Sequence, residues 1–163
     1  MIIKIKKFKN ISFKDHRGFY WTSWQKKLHN RMEFKHDKFS LSRKNVLRGL
    51  HGDNKTWKLV SCPFGKFLLV VVNCIKNSRD YLQWNSWILS HENGLQILIP
   101  PNYANGHLCL SKKCLFHYKL NYRGSYVDVK KQFSLRWNDP KLNIRWGIKK
   151  PILSLRDKKA KLL

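Results

Sequence analysis

The chain is predicted to be an all-β protein, a sandwich or barrel of the jelly-roll type, on three observations. Short runs rich in aromatic and β-branched residues recur along its length. Turn-forming groups punctuate them: Asp15-His16-Arg17-Gly18, Pro63-Phe64-Gly65, His91-Glu92-Asn93-Gly94, Pro100-Pro101-Asn102 and Arg123-Gly124-Ser125. No repeat, linker or low-complexity tract intervenes, and 163 residues suit one domain spanning 1–163. Many short strands separated by tight turns are the mark of antiparallel sandwiches and barrels.

In chain order, strands are expected near 2–8, 19–25, 37–42, 46–51, 57–62, 66–75, 83–89, 95–99, 107–111 and 114–121. The first alternates apolar and charged residues from Ile2 to Phe8, which reads as a strand. A signal peptide needs a continuous apolar core instead. Residues 26–33 and the charged tail after Ser154 each suit a helical turn or two. The run Phe67 to Ile75 is apolar on both faces and reads as a central strand covered on both sides. A second subunit is one candidate for the outer cover.

Composition narrows the partners. The net charge is +25, with 25 Lys against 9 Arg, but the lysines are spread from Lys4 to Lys161 rather than gathered on one element. A dispersed basic surface favours anionic small molecules over a dedicated nucleic-acid interface. No stretch approaches the ~20 apolar residues of a membrane span. Cys62, Cys74, Cys109 and Cys114 contain no CxxC pair, so reduced thiols packed in strands are expected, with the cytoplasm as the default location.

Three segments carry candidate chemistry. The densest, Val46 to Val60, holds Arg48, His51 and Lys58 on two strands joined by a polar turn. A basic mouth with one imidazole suits proton transfer on an anionic substrate, because His titrates near neutrality and Arg grips phosphate in a fixed fork. A lone histidine on a strand is more often a hydrogen-bonded core residue. Strict alternation also puts Arg48 and His51 on opposite faces, so lining one cavity requires a bulge or twist, best placed at Gly49. The second segment delivers Asn105 and His107 from the Pro100-Pro101 turn. Neither histidine has the His-x-His and Glu companions of a barrel metal site, so no metal is expected. In the third, Phe116, Tyr118, Leu120 and Tyr122 share one strand face and His117 lies on the other. Tyr118 reads as a core aromatic or a general acid, and Asp157, one of nine acidic residues, as a surface cap or a salt-bridge partner.

These segments, in this order, resemble the dTDP-4-dehydrorhamnose 3,5-epimerase family. The likeness begins at Asp15-x-Arg-Gly-Phe19 and runs through Asn45-Val-Leu-Arg-Gly-Leu-His51, Lys58-Leu-Val60, Gly65, Leu89-Ser-x-Glu-Asn93, Ile99-Pro100 and Tyr118-Lys119. It continues to Trp137-Asn-Asp139, Ile144-x-Trp146 and Leu153-Ser-x-x-Asp157. The resemblance implies a cupin-type jelly roll, a homodimer, no cofactor and a nucleotide-diphospho-sugar substrate. It implies His51 as general base, Asp157 as its hydrogen-bonded carboxylate and Tyr118 as the acid on the other side of the sugar. Lys58 falls where the family stabilises the enolate oxygen and Arg48 where it contacts the diphosphate. Arg17 corresponds to a nucleotide-side residue that the partner subunit can supply, and Phe19, Lys38, Asn105 and His107 complete the expected binding set.

The departures lie on the substrate side. Tyr103-Ala-Asn-Gly-His107 stands where Phe-Ala-His-Gly-Phe is usual, Thr22 replaces a Glu and Lys38 an Asn. The pattern Leu-His-Gly-Asp-x-Lys-Thr-Trp-Lys-Leu looks like the branch acting on GDP-linked 4-keto heptoses for bacterial capsules, which is the expected substrate class. The alternatives are a dTDP-4-keto-6-deoxyglucose 3,5-epimerase, a 3,4-ketoisomerase on the same fold, and a basic nucleic-acid-binding module.

Overall fold

The alternating apolar runs become strands of two facing sheets in the computed structural model, which describes residues 5–10, 12–27, 29 and 32–163. One sheet has the order β1 (Lys6–Lys9), β9 (Leu95–Ile99), β6 (Trp57–Phe64), β11 (Lys113–Asn121), β4 (His36–Arg43). The other runs β12 (Phe133–Ser134), β5 (Leu47–Gly52), β10 (Tyr103–Cys109), β7 (Lys66–Asn73), β8 (Trp84–Ser90). A separate hairpin pairs β2 (Ser12–Asp15) with β3 (Gly18–Trp21), and α1 (Leu155–Lys158) lies near the C-terminal end. This is the expected all-β, cupin-type jelly roll.

The main core lies between the sheets. Phe67, Leu69 and Val71 of β7 meet Val60, Ile97, Ile99 and Phe116 from the opposite sheet. Val70 and Val72, the alternate side chains of β7, pack outward against Leu142 and Trp146. The strand is therefore covered on both faces, but by this chain's own C-terminal segment rather than by a second subunit. The outer face of the first sheet is different: Phe39 and Leu41 of β4 and Phe64 of β6 are each more than half exposed, at 60%, 57% and 56%.

Several boundaries differ from the sequence reading. β10 begins at Tyr103, not 107, because the turn closes early. Asn102 takes φ 65° and its N–H donates to the Asp53 carbonyl, so pairing with β7 resumes at the next residue. β7 stops at Asn73, whose side chain accepts the Ile75 N–H and turns the chain. Strand 19–25 shrinks to β3, while β2 and β12 were not expected at all. No helix forms among the described residues of 26–33, and residues 2–4 of the first expected strand lie outside the described residues, as do 28, 30 and 31. The tail after Ser154 does form its helical turn, capped by the Ser154 hydroxyl, which accepts from Asp157 N–H. All four cysteines are free, and burial pushes the Cys62 thiol up to about 12 and Cys74 up to about 11. Among the described residues no helix is long and apolar enough to cross a membrane.

Candidate active site

A cavity of about 410 Å³ opens between the sheets, and seven of the expected residues line it: Arg48, His51 and Asp157, Lys58, Asn105 and His107, and Tyr118. Its construction starts at Gly49. The three residue steps from Arg48 to His51 face only the two from Asn105 to His107 on β10, so β5 carries one extra residue there. Gly49 has φ 113°, and the Gly49–Leu50 peptide is cis. A Cβ on Gly49 would lie 2.5 Å from Gly106 Cα, so a side chain is excluded by space as well as by conformation. The bulge shifts the alternation by one, and Arg48 and His51 come to face the same cavity.

His51 is held at both ring nitrogens. Nε2 stands 2.8 Å from Oδ1 of Asp157, and Nδ1 is 2.9 Å from the Ser134 hydroxyl. With an ionised carboxylate as partner, Nε2 carries the hydrogen and Nδ1 presents its lone pair to the Ser134 O–H. β12 is short, but it sets Ser134 directly opposite His51. Arg156 Nη2 donates to the same hydroxyl at 3.0 Å. Burial opposes ionisation of Asp157, but hydrogen bonds from His51 and Ser154, together with the Gly49 N–H, outweigh it and hold the carboxyl below its ordinary range.

Lys58 on β6 is buried and donates to Oδ1 of Asn105 at 2.9 Å, with the His51 carbonyl at 3.4 Å. Burial lowers its ammonium to about 8; Asp53 opposes this and Arg156 adds to it. Tyr118 extends from β11, one strand over from Lys58. Among the described residues nothing hydrogen-bonds its hydroxyl, which separates it from an ordinary satisfied core tyrosine. Burial raises the Tyr118 phenol, and Lys38 and Arg48 pull it back. His117, the next side chain before it, points to the other face as alternation requires. There it bonds Ser61 at 2.7 Å and Asp37 at 2.5 Å.

His107 belongs to the wall. Its ring stacks on Phe116 at 4.3 Å and its Nε2 is 3.5 Å from the Ser42 hydroxyl, to which Arg48 Nε donates at 3.0 Å. Burial, with Arg48 nearby, lowers His107 to about 3. Lys38 is not in the cavity lining; its ammonium bonds Tyr126, which is. Arg17 and Phe19 do not reach this cavity. They sit on the β2–β3 hairpin around a separate depression with Phe13 and Tyr20, and Arg17 pairs with Asp15. Their hairpin pairs with neither of the two large sheets, and the Phe19 ring stacks on His91 at 6.1 Å.

Ser134, Arg156, Gln132, Ser154 and Tyr126 were missed in the sequence. Arg156 was within sight, one residue before Asp157, whereas Ser134 lies in an unremarkable loop sequence whose role depends on pairing with β5. Among the described residues no three His, Cys, Asp or Glu side chains cluster to hold a metal ion.

The family model described as dTDP-4-dehydrorhamnose 3,5-epimerase matches residues 2–163. The chain belongs to this family. It is an isomerase of the nucleotide-sugar epimerase type. The Salmonella typhimurium dTDP-4-dehydrorhamnose 3,5-epimerase is 37% identical over 160 residues, 93% of this chain and 86% of that protein. The Bacillus anthracis epimerase, solved with TDP and pyrophosphate bound, superposes with a TM-score of 0.91 at 31% identity, covering 98% of this chain and 94% of that one. A Legionella pneumophila 3,5-epimerase solved with dTDP-4-keto-L-rhamnose gives 0.88 at 36% identity, over 97% and 87%.

Proposed function

We propose that this chain inverts C3 and C5 of dTDP-4-keto-6-deoxyglucose by proton removal and return on opposite faces of the sugar. The observation that carries the reading is the placement of the two proton-handling groups on different sheets. His51 with Asp157 approaches from the β5 side, and Tyr118 from β11. A C–H beside a ketone is a weak acid, so the barrier depends on stabilising the enolate oxygen. Lys58 supplies that charge from a buried position, where a cation acts strongly.

In the proposed sequence the Ser134 hydroxyl turns away from Nδ1, which costs one neutral hydrogen bond, while Asp157 stays paired with Nε2. Nδ1 takes the proton from carbon, and the electron pair moves to the ketone oxygen facing Lys58. Tyr118 then returns a proton from the other wall. Arg48 and Arg156 provide the cationic mouth for the diphosphate.

The dTDP-linked hexose has the better support, because the relatives are named for that substrate class and none of those described is named for a GDP-heptose. Incubation in D₂O, read by NMR at each carbon, tests the assignment. Deuterium should enter at C3 and C5 of dTDP-4-keto-6-deoxyglucose. Exchange only with a GDP-4-keto-heptose would move the substrate to the heptose class, and a migrated carbonyl would make the chain a ketoisomerase. No exchange with either compound would end the epimerase reading.

The exposed face of Phe39, Leu41 and Phe64 and the separate, exposed β2–β3 hairpin also support a homodimer in which Arg17 and Phe19 complete the nucleotide end of the partner's cavity. Light scattering should give twice the chain mass, and Phe39→Glu should reduce it to the monomer.

A further inference from the structure

Lys38 stands on β4 directly opposite Tyr118 on β11. It shares the face of Ser40, which lines the cavity with Phe116 and Tyr118. Opposed residues on neighbouring strands have Cβ atoms about 4.5–5.5 Å apart, so the two side chains leave their strands as neighbours, and Tyr126, which the ammonium contacts, lines the cavity with Tyr118. The ammonium is fixed there. Lys38 Nζ donates to the Tyr126 hydroxyl at 2.9 Å and lies 4.1 Å from the centre of that ring. Tyr126 is braced by an edge-on contact to His36 at 5.0 Å and by Tyr122 at 5.8 Å.

Lys38 and Arg48 favour the ionised form of Tyr118 and Tyr126 opposes it; His51, Lys58, Arg156 and Asp157 line the same cavity. Those facing Lys38 are Tyr126, Tyr118 and Asp128, which together with the Tyr126 hydrogen bond keep it cationic. The resemblance placed Lys38 with the substrate contacts, yet its head is engaged with a tyrosine of the wall.

We propose that Lys38, held by Tyr126, is the counter-ion of the Tyr118 phenolate and so controls the second half of the reaction, the return of the proton. This rests on the reading of Tyr118 as the acid. In that step the enolate carbon forms a C–H bond with its own π pair, the Tyr118 O–H breaks, and the oxygen keeps that pair as phenolate. Solvent water later restores the phenol and accepts the proton from His51. A phenolate left in a half-buried corner needs a fixed positive charge, and a cation already in place requires no reorganisation when the charge appears.

Two readouts test this. In D₂O with dTDP-4-keto-6-deoxyglucose, Lys38→Met should form inverted product at least about tenfold more slowly, while deuterium exchange with retained configuration persists within about threefold. Lys38→Arg should restore inversion. Without substrate, an ultraviolet titration of tyrosinate, with Tyr118→Phe as reference, should show Tyr118 ionising at higher pH in Lys38→Met than in the unmodified protein. Equal loss of exchange and inversion, or an unmoved Tyr118 titration, overturns the proposal. If the unmodified protein exchanges no deuterium, the catalytic reading falls and the titration still decides whether Lys38 is the counter-ion.

Discussion

His51 and Asp157 meet at 2.8 Å between Nε2 and Oδ1, although about two thirds of the chain lies between them in the sequence. The contact is oriented from both ends: Ser154 donates to Oδ2 of Asp157 and Ser134 sits at Nδ1 of His51. Such a carboxylate fixes the tautomer and stabilises the imidazolium formed when the base takes a proton. Asp157→Asn should therefore lower kcat by about 10²–10⁴ with little change in KM, as steady-state kinetics would show. A loss below about fivefold would leave Asp157 a structural cap only.

Lys58 ties activity and stability to pH in opposite directions. Its ammonium is lowered to about 8 by burial; in the role proposed for it at the enolate oxygen it must be charged, so kcat/KM should fall as pH rises through about 8. The folded state holds this proton less tightly than the unfolded chain, whose lysine titrates near 10.4. Between those values the unfolded state binds more protons, so this group's contribution makes the fold more stable as pH rises. Lys58→Met should abolish turnover and raise the melting temperature at neutral pH, because a buried charge is removed. A pH–rate profile combined with thermal melts checks both signs.

Gly49→Ala should damage the fold itself. The added Cβ would meet Gly106 Cα at 2.5 Å and the Asn105 carbonyl at 2.6 Å, on a backbone with φ 113°. Neither contact is a movable side-chain end, so a loss of more than about 3 kcal/mol is expected in denaturant titrations. Gly106→Ala faces milder contacts, the Arg48 carbonyl at 2.9 Å and a movable Leu50 methyl at 3.2 Å. It should cost less.

What the sequence revealed follows from which forces act locally. Alternation along β11 separated Phe116, Tyr118 and Leu120 from His117 because a strand's faces are set by parity alone. The same parity exposed a conflict between Arg48 and His51, and the only glycine between them resolved it. Ser134 escaped notice because a two-residue strand has no period to detect, and its place depends on pairing with β5. The outer cover of β7 was also illegible, since an apolar strand face does not say whether its partner is the chain's own Trp146 or another subunit. Arg17 and Phe19 carry a family motif, but a motif cannot say whose cavity the hairpin serves.

His107 makes the last prediction, on acid stability. Burial lowers it to about 3, with Arg48 adding to the effect and Asp157 opposing it, whereas an unfolded histidine titrates near 6.5. Between those values the unfolded chain binds more protons, so the native state loses stability as pH falls through this window. His117, also lowered chiefly by burial although Asp37 opposes the shift, adds to the same acid slope. His107→Phe keeps a ring to stack on Phe116 and removes the titration. Denaturant titrations at about pH 7.5 and about pH 5 should then differ by roughly 2 kcal/mol less in the variant than in the unmodified protein. An identical acid slope would show that His107 is already protonated in the native wall, which its stacked and buried position does not accommodate.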